Sequence, residues 1–305
     1  MASSATAFAA SVLYVHGDVA GDGTVPSGNQ QPFDQMLLTD TGSKGLSEFA
    51  DLVRSQAHTI SQRYDQQTTI NDGFLSGVDV LIFGLHQKQW SDAEKESLHN
   101  WLNAGGGMLI YSDSASGGSF SSVGAQNSVG QSVTNNLIER YGMQVTVDQA
   151  NGTKSFRSGP NIPHPLMNDR PELEGEGVSP IAIDPNSNAI ALIPHSNNPD
   201  NLVSGNTNIP HTQNITIDNP QYAALALATV GKGHVITLFD RQPMWNSGPG
   251  SNIAKRDNRE ILRRIVNFLG QDSTTSPTTP NTPRSSGDPS ATGTIGALML
   301  LLDIL

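Results

Sequence analysis

The stretch VDVLIFGLHQKQWSDAEKESLHNWLNAGGGMLIYSDS, residues 78–114, decides the fold of this chain. Its first part, Val78–Gly84, is apolar apart from one aspartate, which predicts a parallel strand buried on both faces. Ser91 and Glu94 form a capping-box pattern, so a helix begins there, and a run of three glycines ends it. Met108–Tyr111 is apolar again and predicts the next strand. The stretch therefore predicts one strand–helix–strand unit of a parallel sheet.

The same alternation of strands and helices extends to both sides of this unit. Val12–Val15 predicts an earlier strand, and apolar residues at helical spacing predict a helix across residues 45–57. Further on, Tyr222–Val230 and His234–Phe239 flank a Gly-Lys-Gly turn and predict an antiparallel hairpin. Asp257 marks the start of a last amphipathic helix. We therefore expect an α/β fold, a three-layer sandwich with a mostly parallel central sheet and a closing antiparallel hairpin.

Composition divides the chain into segments. Residues 1–10 are mostly small and end like a secretory signal, so they are either a signal remnant or a disordered start. Residues 11–270 carry the α/β domain, and residues 151–219 within it are rich in Asn, Pro and Gly, which predicts a loop-rich insertion. Residues 271–294 form a Ser/Thr/Pro-rich linker. Residues 295–305 are an apolar tail, shorter than the about 20 residues that span a bilayer. We expect it to contact a membrane or another domain, and the alternative is a helix that packs on the body of the protein.

Charge and cysteine content exclude several classes of protein. The 305 residues include 17 Lys or Arg against 28 Asp or Glu, which gives a net charge of −11. Nucleic-acid affinity depends on Lys and Arg that neutralise phosphates, so we expect no nucleic-acid partner. The chain has no cysteine, which excludes disulfides, thiolate metal sites and a cysteine nucleophile. Because a polar, lysine-poor composition is commoner in secreted bacterial proteins, we expect a secreted or cell-surface location, extracellular or periplasmic.

Three segments resemble a known superfamily. Residues 78–114, GKGHVITLFDRQPMWN (231–246) and KRDNREILRRIVNFL (255–269) resemble class I glutamine amidotransferase-like domains, including the ThuA-like trehalose-utilisation proteins. The resemblance covers most of residues 11–270 and implies a flavodoxin-like or amidotransferase-like sandwich. It is weakly specific for function, because this fold hosts amidotransferases, peptidases, sugar-linked proteins and inactive binding domains. Glutamine amidotransfer itself is excluded, since it needs the cysteine that this chain lacks.

The candidate ligand site lies where the predicted strands end. Open α/β sheets bind ligands beyond the carboxyl ends of their strands. The polar or aromatic residues expected there are Asp18, His86, Gln87, Asp113, Arg241, Trp245 and Asn246. Trp245 combines an aromatic face with the neighbouring guanidinium of Arg241 and amide of Asn246, which suits a sugar ring or a carboxylated sugar. The alternative for Trp245 is a place at the edge of the core.

A catalytic alternative uses the serines that follow the strand ending at Tyr111. Enzymes of the superfamily that this chain resembles place a nucleophile at this turn, which here holds Ser112 and Ser114. The flanking residues lack the Gly-x-Ser-x-Gly pattern of a strained nucleophile elbow. A serine also needs a histidine base and a carboxylate that orients it. The residues available for those roles are His164 or His16 as the base, and Asp240. The non-catalytic alternative is loop serines and a structural His-Pro turn.

The segment DVAGDGTVPSGN, residues 18–29, resembles the calcium loop of dockerins. Such loops place oxygen ligands at positions 1, 3, 5, 7, 9 and 12, and a glycine at position 6. Asp18 and Asp22 fill two of the ligand positions, but Ala20 and Asn29 stand at positions 3 and 12. We therefore expect no cofactor, with a calcium ion bound by Asp18 and Asp22 as the alternative to a Gly/Asp-rich turn.

These patterns favour a secreted, non-catalytic domain that binds a ligand, either a polysaccharide or a small molecule, or that serves as an accessory module of a larger surface protein. The first alternative is a hydrolase that acts on an ester or a glycan through Ser112 or Ser114. The second alternative is a structural surface module. The separations among the serines, histidines and Asp240 discriminate between them, because a catalytic triad requires direct hydrogen bonds.

Overall fold

A computed structural model of the chain describes residues 9–17, 36–84, 86, 88–111, 127–146, 152–160, 162–176, 179–205, 215–248 and 250–271. For residues 127–130 it describes the backbone alone. Among all these residues, no helix is both long enough and apolar enough to cross a membrane. The predicted linker from residue 272 onward, the apolar tail and the predicted calcium loop lie outside the described residues, and Gln271 is the last residue of the last described helix.

Strands and helices alternate through the first half of the described chain. The described strands are β1 (Ser11–His16), β2 (Thr59–Tyr64), β3 (Val80–Gly84), β4 (Gly107–Tyr111), β5 (Met143–Val145), β6 (Thr153–Arg157), β7 (Glu172–Glu176), β8 (Ile181–Ile183), β9 (Ala189–Pro194), β10 (Leu202–Ser204), β11 (Gln221–Val230) and β12 (Gly233–Leu238). The described α-helices are α1 (Ser47–Ser55), α2 (Asp72–Leu75), α3 (Asp92–Asn103), α4 (Asn127–Ile138) and α5 (Asn258–Gln271). Short 3₁₀ helices lie at Asp65–Gln67, Glu139–Tyr141, Pro165–Met167 and Gln242–Met244.

Nine of the described strands form one mixed sheet, in the order β2-β1-β3-β4-β12-β11-β8-β5, with β9 also paired to β11. The strands from β2 to β12 in this order run parallel. By contrast, β11, β8, β9 and β5 join through antiparallel pairs. The expected mostly parallel sheet is therefore a mixed sheet. The physical reason is that the tight turn between β11 and β12 reverses the chain, and the short strands beyond it continue the antiparallel pairing.

The unit predicted from residues 78–114 is present as β3, α3 and β4, and every residue of both strands is buried. The Ser91 hydroxyl accepts from the Glu94 N–H, and the Glu94 carboxylate accepts from the Ser91 N–H, which confirms the capping box. After the helix, Gly107 lets α5 lie directly against the sheet, since a Cβ there would be 2.6 Å from the Leu269 Cβ.

The predicted closing hairpin is confirmed as the antiparallel pair β11–β12. Its turn residue Gly231 has φ +59°, and a Cβ there would lie 2.6 Å from Asn103 Oδ1, so the turn requires glycine. On its other side, β12 pairs in parallel with β4, from His234↔Gly107 to Leu238↔Tyr111. The hairpin therefore carries the end of β12 to the same edge of the sheet as the ends of β1, β3 and β4.

Residues 151–219 hold more regular structure than their composition indicates. The strands β10, β6 and β7 form a separate antiparallel sheet. Phe156 of β6 contacts the rings of Phe239 and His195, with centroids 5.9 Å and 4.7 Å away. One face of the small sheet therefore packs against the segment where β12 ends.

Candidate functional site

The carboxyl ends of the parallel strands meet in one row. The register pairs His16 with Gly84, Gly84 with Tyr111, and Tyr111 with Leu238, across β1, β3, β4 and β12. Tyr64 of β2 continues the row beside His16. We call this row, with the residues that directly follow each strand, the carboxyl edge. It is the place where open α/β sheets bind their ligands.

Two buried tyrosines form the floor of the carboxyl edge. The Tyr14 and Tyr111 hydroxyls hydrogen-bond each other at 2.8 Å, and the Tyr14 hydroxyl donates to the Met36 carbonyl at 3.2 Å. Gly84 lies against this pair, since a Cβ there would overlap the Tyr111 hydroxyl. Burial raises the pKa of both phenols, and the charge of Arg241 opposes that shift at Tyr111. Both tyrosines are therefore neutral at neutral pH.

His16 lies fully buried at the end of β1. Its Nδ1 is 2.7 Å from the Gly17 carbonyl oxygen, and because a carbonyl oxygen only accepts, Nδ1 carries a proton and donates. The ring contacts Tyr14 and Tyr64 edge-on, with centroids 5.7 Å and 6.2 Å away. The orientation of His16 is thus fixed by one hydrogen bond and two aromatic neighbours.

Asp240 and Arg241 follow β12 and are both buried, with 0% and 2% of their surface exposed. Asp240 Oδ2 accepts from the Glu176 N–H at 2.7 Å, so this carboxylate ties the end of β7 to the end of β12. The guanidinium carbon of Arg241 lies 5.2 Å from the centre of the Trp245 ring. A guanidinium held in this way is little screened by solvent, and it brings a fixed positive charge to the carboxyl edge.

Trp245 does not form the exposed sugar platform that its neighbours suggested. Only 3% of its surface is exposed, because its ring packs against Gly248 and lies near two cations, Arg241 and Lys44. The Lys44 Nζ is 5.4 Å from the ring centre. The indole Nε1–H is buried and has no hydrogen-bond partner in the described part of the chain. Trp245 therefore supports Arg241 from within the core.

The Asn246 side chain is engaged with the backbone. Its Oδ1 accepts from the Glu48 N–H at 2.8 Å, and its Nδ2 donates to the carbonyls of Asp40 and Gly42 at 3.0 Å and 2.8 Å. These bonds join the end of the 3₁₀ helix at 242–244 to the start of α1. Both the oxygen and the nitrogen of the Asn246 amide are thus engaged with the backbone. The geometry therefore assigns this side chain a structural role and not a ligand contact.

His86 packs under α4 instead of lining the cleft. Its ring is 2% exposed, lies 5.5 Å from the Phe83 ring, and hydrogen-bonds the backbone of Val133. Burial lowers the pKa of His86 to about 4, so the imidazole is neutral at neutral pH.

The structure places His164 away from the carboxyl edge, contrary to the expectation that a loop brings it there. Its Nδ1 accepts from the Leu166 N–H at 3.3 Å, and its ring lies 5.1 Å from Phe268. Phe268 also contacts His234, the residue that pairs with Gly107 at the start of β4 and β12. His164 therefore lies at the amino ends of these strands, because Phe268 near the end of α5 holds its ring there.

Two buried basic residues near the carboxyl edge, Lys154 and His195, were not predicted from the sequence. Lys154 stands directly opposite Gly175, and opposite residues share one face of a sheet. Gly175 faces Asp240, since a Cβ there would lie 2.8 Å from Asp240 Oδ2. Burial, reinforced by the charge of Lys154, lowers the pKa of His195 to about 4. The only sequence signal was the alternation of Lys154 with Phe156 in TKSFR, which indicates one inward face.

The remaining predicted site residues lie outside the described residues. They are Asp18, Asp22, Gln87, Ser112, Asp113 and Ser114. Within the described ranges, no group of three or more histidine or acidic residues could hold a metal ion.

The fold is similar to those of solved structures of low sequence identity. One is the "mmIFT52 N-terminal domain", with a TM-score of 0.54 and 15% identity, over 86% of this chain and 98% of that one. Another is a putative ThuA-like protein from Bacteroides uniformis, with a TM-score of 0.50 and 12% identity, over 90% of this chain and 96% of that one. These likenesses concern the fold alone, and the second supports the expected resemblance to ThuA-like proteins.

Sequence comparison identifies a family for most of the described domain. Residues 39–266 match the profile of a family described as "Domain of unknown function (DUF4350)". No curated protein matches the sequence.

Proposed function

Since this chain belongs to the DUF4350 family, whose function is unknown, we propose its function from the site itself. The proposed function is that of a secreted, non-catalytic domain. At its carboxyl edge, this domain binds a carbohydrate that carries a carboxylate group. As its architecture we propose the three-layer, amidotransferase-like sandwich.

The observation that carries this proposal is the position of Arg241. Its guanidinium is buried beside Trp245, and its charge acts on Tyr111 of the central strand β4. A planar guanidinium binds a carboxylate through two parallel hydrogen bonds, and such bonds are stronger where solvent is excluded. A carboxylate is therefore the ligand group that this edge suits best.

The histidines and acids support binding over catalysis. A catalytic triad requires a carboxylate that orients the histidine through a hydrogen bond. Asp240 bonds the Glu176 backbone, His16 bonds the Gly17 carbonyl, and His164 lies at the opposite end of the strands.

One observation favours the hydrolase as a second candidate. His16 ends β1 in the same row as Tyr111, and Ser112 and Ser114 follow Tyr111 in the sequence. His16 and Tyr111 lie on strands separated by β3, so their backbones are about 10 Å apart. For a hydrolase, Ser112→Ala or Ser114→Ala must abolish turnover on an ester and glycan panel, whereas an inactive wild type would exclude it.

The binding proposal is tested with the full chain on an array of uronate-containing and neutral oligosaccharides, followed by calorimetry on the best ligand. We expect Arg241→Gln to weaken uronate binding by about 10–150-fold, the equivalent of losing about 1.5–3 kcal/mol from charged hydrogen bonds. Arg241→Lys keeps the charge and should lose less. Arg54→Gln is the matched control, because Arg54 is an exposed arginine on α1.

Folding is checked by the melting temperature of each variant. Uronate binding that survives Arg241→Gln in a folded protein would refute the assignment of Arg241. If the wild type binds no uronate ligand, the proposed function is refuted. The result would then favour the structural surface module.

A further inference from the structure

A second candidate site lies at the amino ends of the strands, away from the carboxyl edge. A cavity of about 390 Å³ opens between the end of α3, the 3₁₀ helix Glu139–Tyr141, the turn after β8, and the turn of the closing hairpin. The polar side chains that line it include His99, Asn103, Arg140, Asn186, Asn188 and Thr229. We call this space the Arg140 cavity. Its volume falls within the range of small-molecule sites.

The walls of the Arg140 cavity are rigid because glycines let two turns approach it closely. Gly142 has φ +75°, and a Cβ there would overlap the Ser187 side chain. On the side of the hairpin turn, Gly231 also lies close to Asn103, and a Cβ at Gly231 would be 2.6 Å from Asn103 Oδ1. The turn that carries Asn186 is held by Asp184, whose Oδ1 accepts from the Asn186 N–H at 2.8 Å. The amides that line the cavity therefore stand on fixed backbone.

Two buried polar atoms beside the cavity lack partners. The Tyr141 side chain is 7% exposed, and its hydroxyl has no hydrogen-bond partner within the described residues. The same is true of His99 Nδ1, and the two rings stack with centroids 6.0 Å apart. Buried groups of this kind are rare in folded proteins, because each one is costly to leave unpaired. They mark the cavity as a place where a hydrogen-bonding ligand is favoured.

The charges around the cavity favour a neutral ligand. Arg140 is its cationic lining residue, and the guanidinium already lies 3.3 Å from the Glu96 carboxylate. Burial and the charge of Arg140 lower the pKa of His99, so this ring is neutral at neutral pH. An adjoining cavity of about 460 Å³, which shares Arg140 and Asn186, is lined by the acids Glu139, Asp184 and Asp218. An anionic ligand would be repelled by these acids.

We propose that the Arg140 cavity binds one neutral sugar unit, a hexose, and that the adjoining acid-lined cavity takes the next unit of the chain. Asparagine amides, a threonine hydroxyl and a guanidinium offer the paired donors and acceptors that neighbouring sugar hydroxyls require. This site is separate from the carboxyl edge and differs from it in ligand chemistry.

The test uses the full chain with glucose, galactose, mannose, maltose and cellobiose, and with glucuronate as the anionic comparison, in ligand-observed NMR and calorimetry. We expect a neutral disaccharide to bind more tightly than its monosaccharide. In the Arg241→Gln variant, which removes the proposed uronate site at the carboxyl edge, we expect glucuronate to bind more weakly than glucose. Arg140→Met should weaken neutral-sugar binding about tenfold. Asn188→Ala should weaken it too. Because Asn188 is exposed, we expect this variant to fold, and its melting temperature checks that.

Arg54→Met is the matched control and should leave neutral-sugar binding unchanged. Arg241→Gln should also leave it unchanged, which separates this proposal from the proposed function. The proposal is overturned if no neutral sugar binds, if the Arg241→Gln variant binds glucuronate more tightly than glucose, or if folded Arg140→Met and Asn188→Ala variants bind neutral sugars like the wild type.

Discussion

Gly84→Ala tests whether the tyrosine pair is the rigid floor of the carboxyl edge. The new Cβ would overlap the hydroxyl and Cζ of Tyr111, and would lie 2.7 Å from Tyr14 Cε2. Both rings are buried and joined by a 2.8 Å hydrogen bond, so neither can move without breaking that bond. The substitution therefore has to disrupt the floor.

The expected loss of stability follows from two contributions. Forcing an extra methyl group into a packed core costs about 1–3 kcal/mol. Breaking the bond between the two hydroxyls adds about 1 kcal/mol. The sum is a decrease of about 2–4 kcal/mol in the free energy of unfolding. For a domain of this size it corresponds to a fall of about 4–16 °C in melting temperature.

Urea unfolding and thermal melting of the full chain measure this effect. Gly73→Ala is the matched control, because Gly73 lies in the short helix α2 and the nearest atom to its new Cβ is Asn71 Oδ1 at 3.3 Å. We expect it to be neutral or slightly stabilising. In the Gly84→Ala background, Tyr111→Leu should recover part of the loss, since it removes the overlapping atoms. A wild-type melting temperature for Gly84→Ala, or strictly additive effects in the double variant, would refute the reasoning.

Two further predictions concern residues assigned to structural contacts. Asn246→Ala should lower the free energy of unfolding by about 2–3 kcal/mol, because it removes its hydrogen bonds to three backbone groups; exposed Asn100→Ala is the control, and equal denaturation midpoints would contradict the assignment. His86 and His195 have pKa values lowered to about 4 in the folded chain, so below about pH 6.5 the unfolded chain binds more protons. Stability should therefore be nearly constant above about pH 7.5, and should fall by up to about 2.7 kcal/mol per pH unit between about pH 6.5 and pH 4. Denaturant unfolding at several pH values measures this slope, and His195→Leu should halve it; an unchanged slope would show that His195 is not the titrating group.

The sequence predicted the elements whose signals are local. The β3–α3–β4 unit was predictable because each of its parts has its own pattern, from the apolar strands to the Ser91–Glu94 capping box. The mixed character of the sheet was not predictable. Strands β5 and β8 are three residues long, and Met143 pairs with Ile183 across forty positions of sequence. Such short strands have no periodicity to detect, and only tertiary pairing selects their partners.

The candidate site was also predictable only in part. His16, Asp240 and Arg241 follow strands whose ends must meet in a parallel sheet, so topology alone brings them to one edge. His164 could not be placed in this way, because its position depends on packing against Phe268. The position of Lys154 could not be predicted either, because it depends on the pairing of Lys154 with Gly175, which only the folded sheet establishes.

The two arginines explain why we assign different ligands to the two ends of the sheet. Arg241 is 2% exposed and packs on Trp245, so its charge is weakly screened and a carboxylate gains most by binding it. The Arg140 side chain is 35% exposed, so solvent reduces its attraction for an anion. Arg140 therefore contributes to this cavity mainly as a hydrogen-bond donor, next to the asparagine amides that also line it. We therefore propose a charged ligand group for the carboxyl edge and a neutral, hydroxyl-rich ligand for the Arg140 cavity.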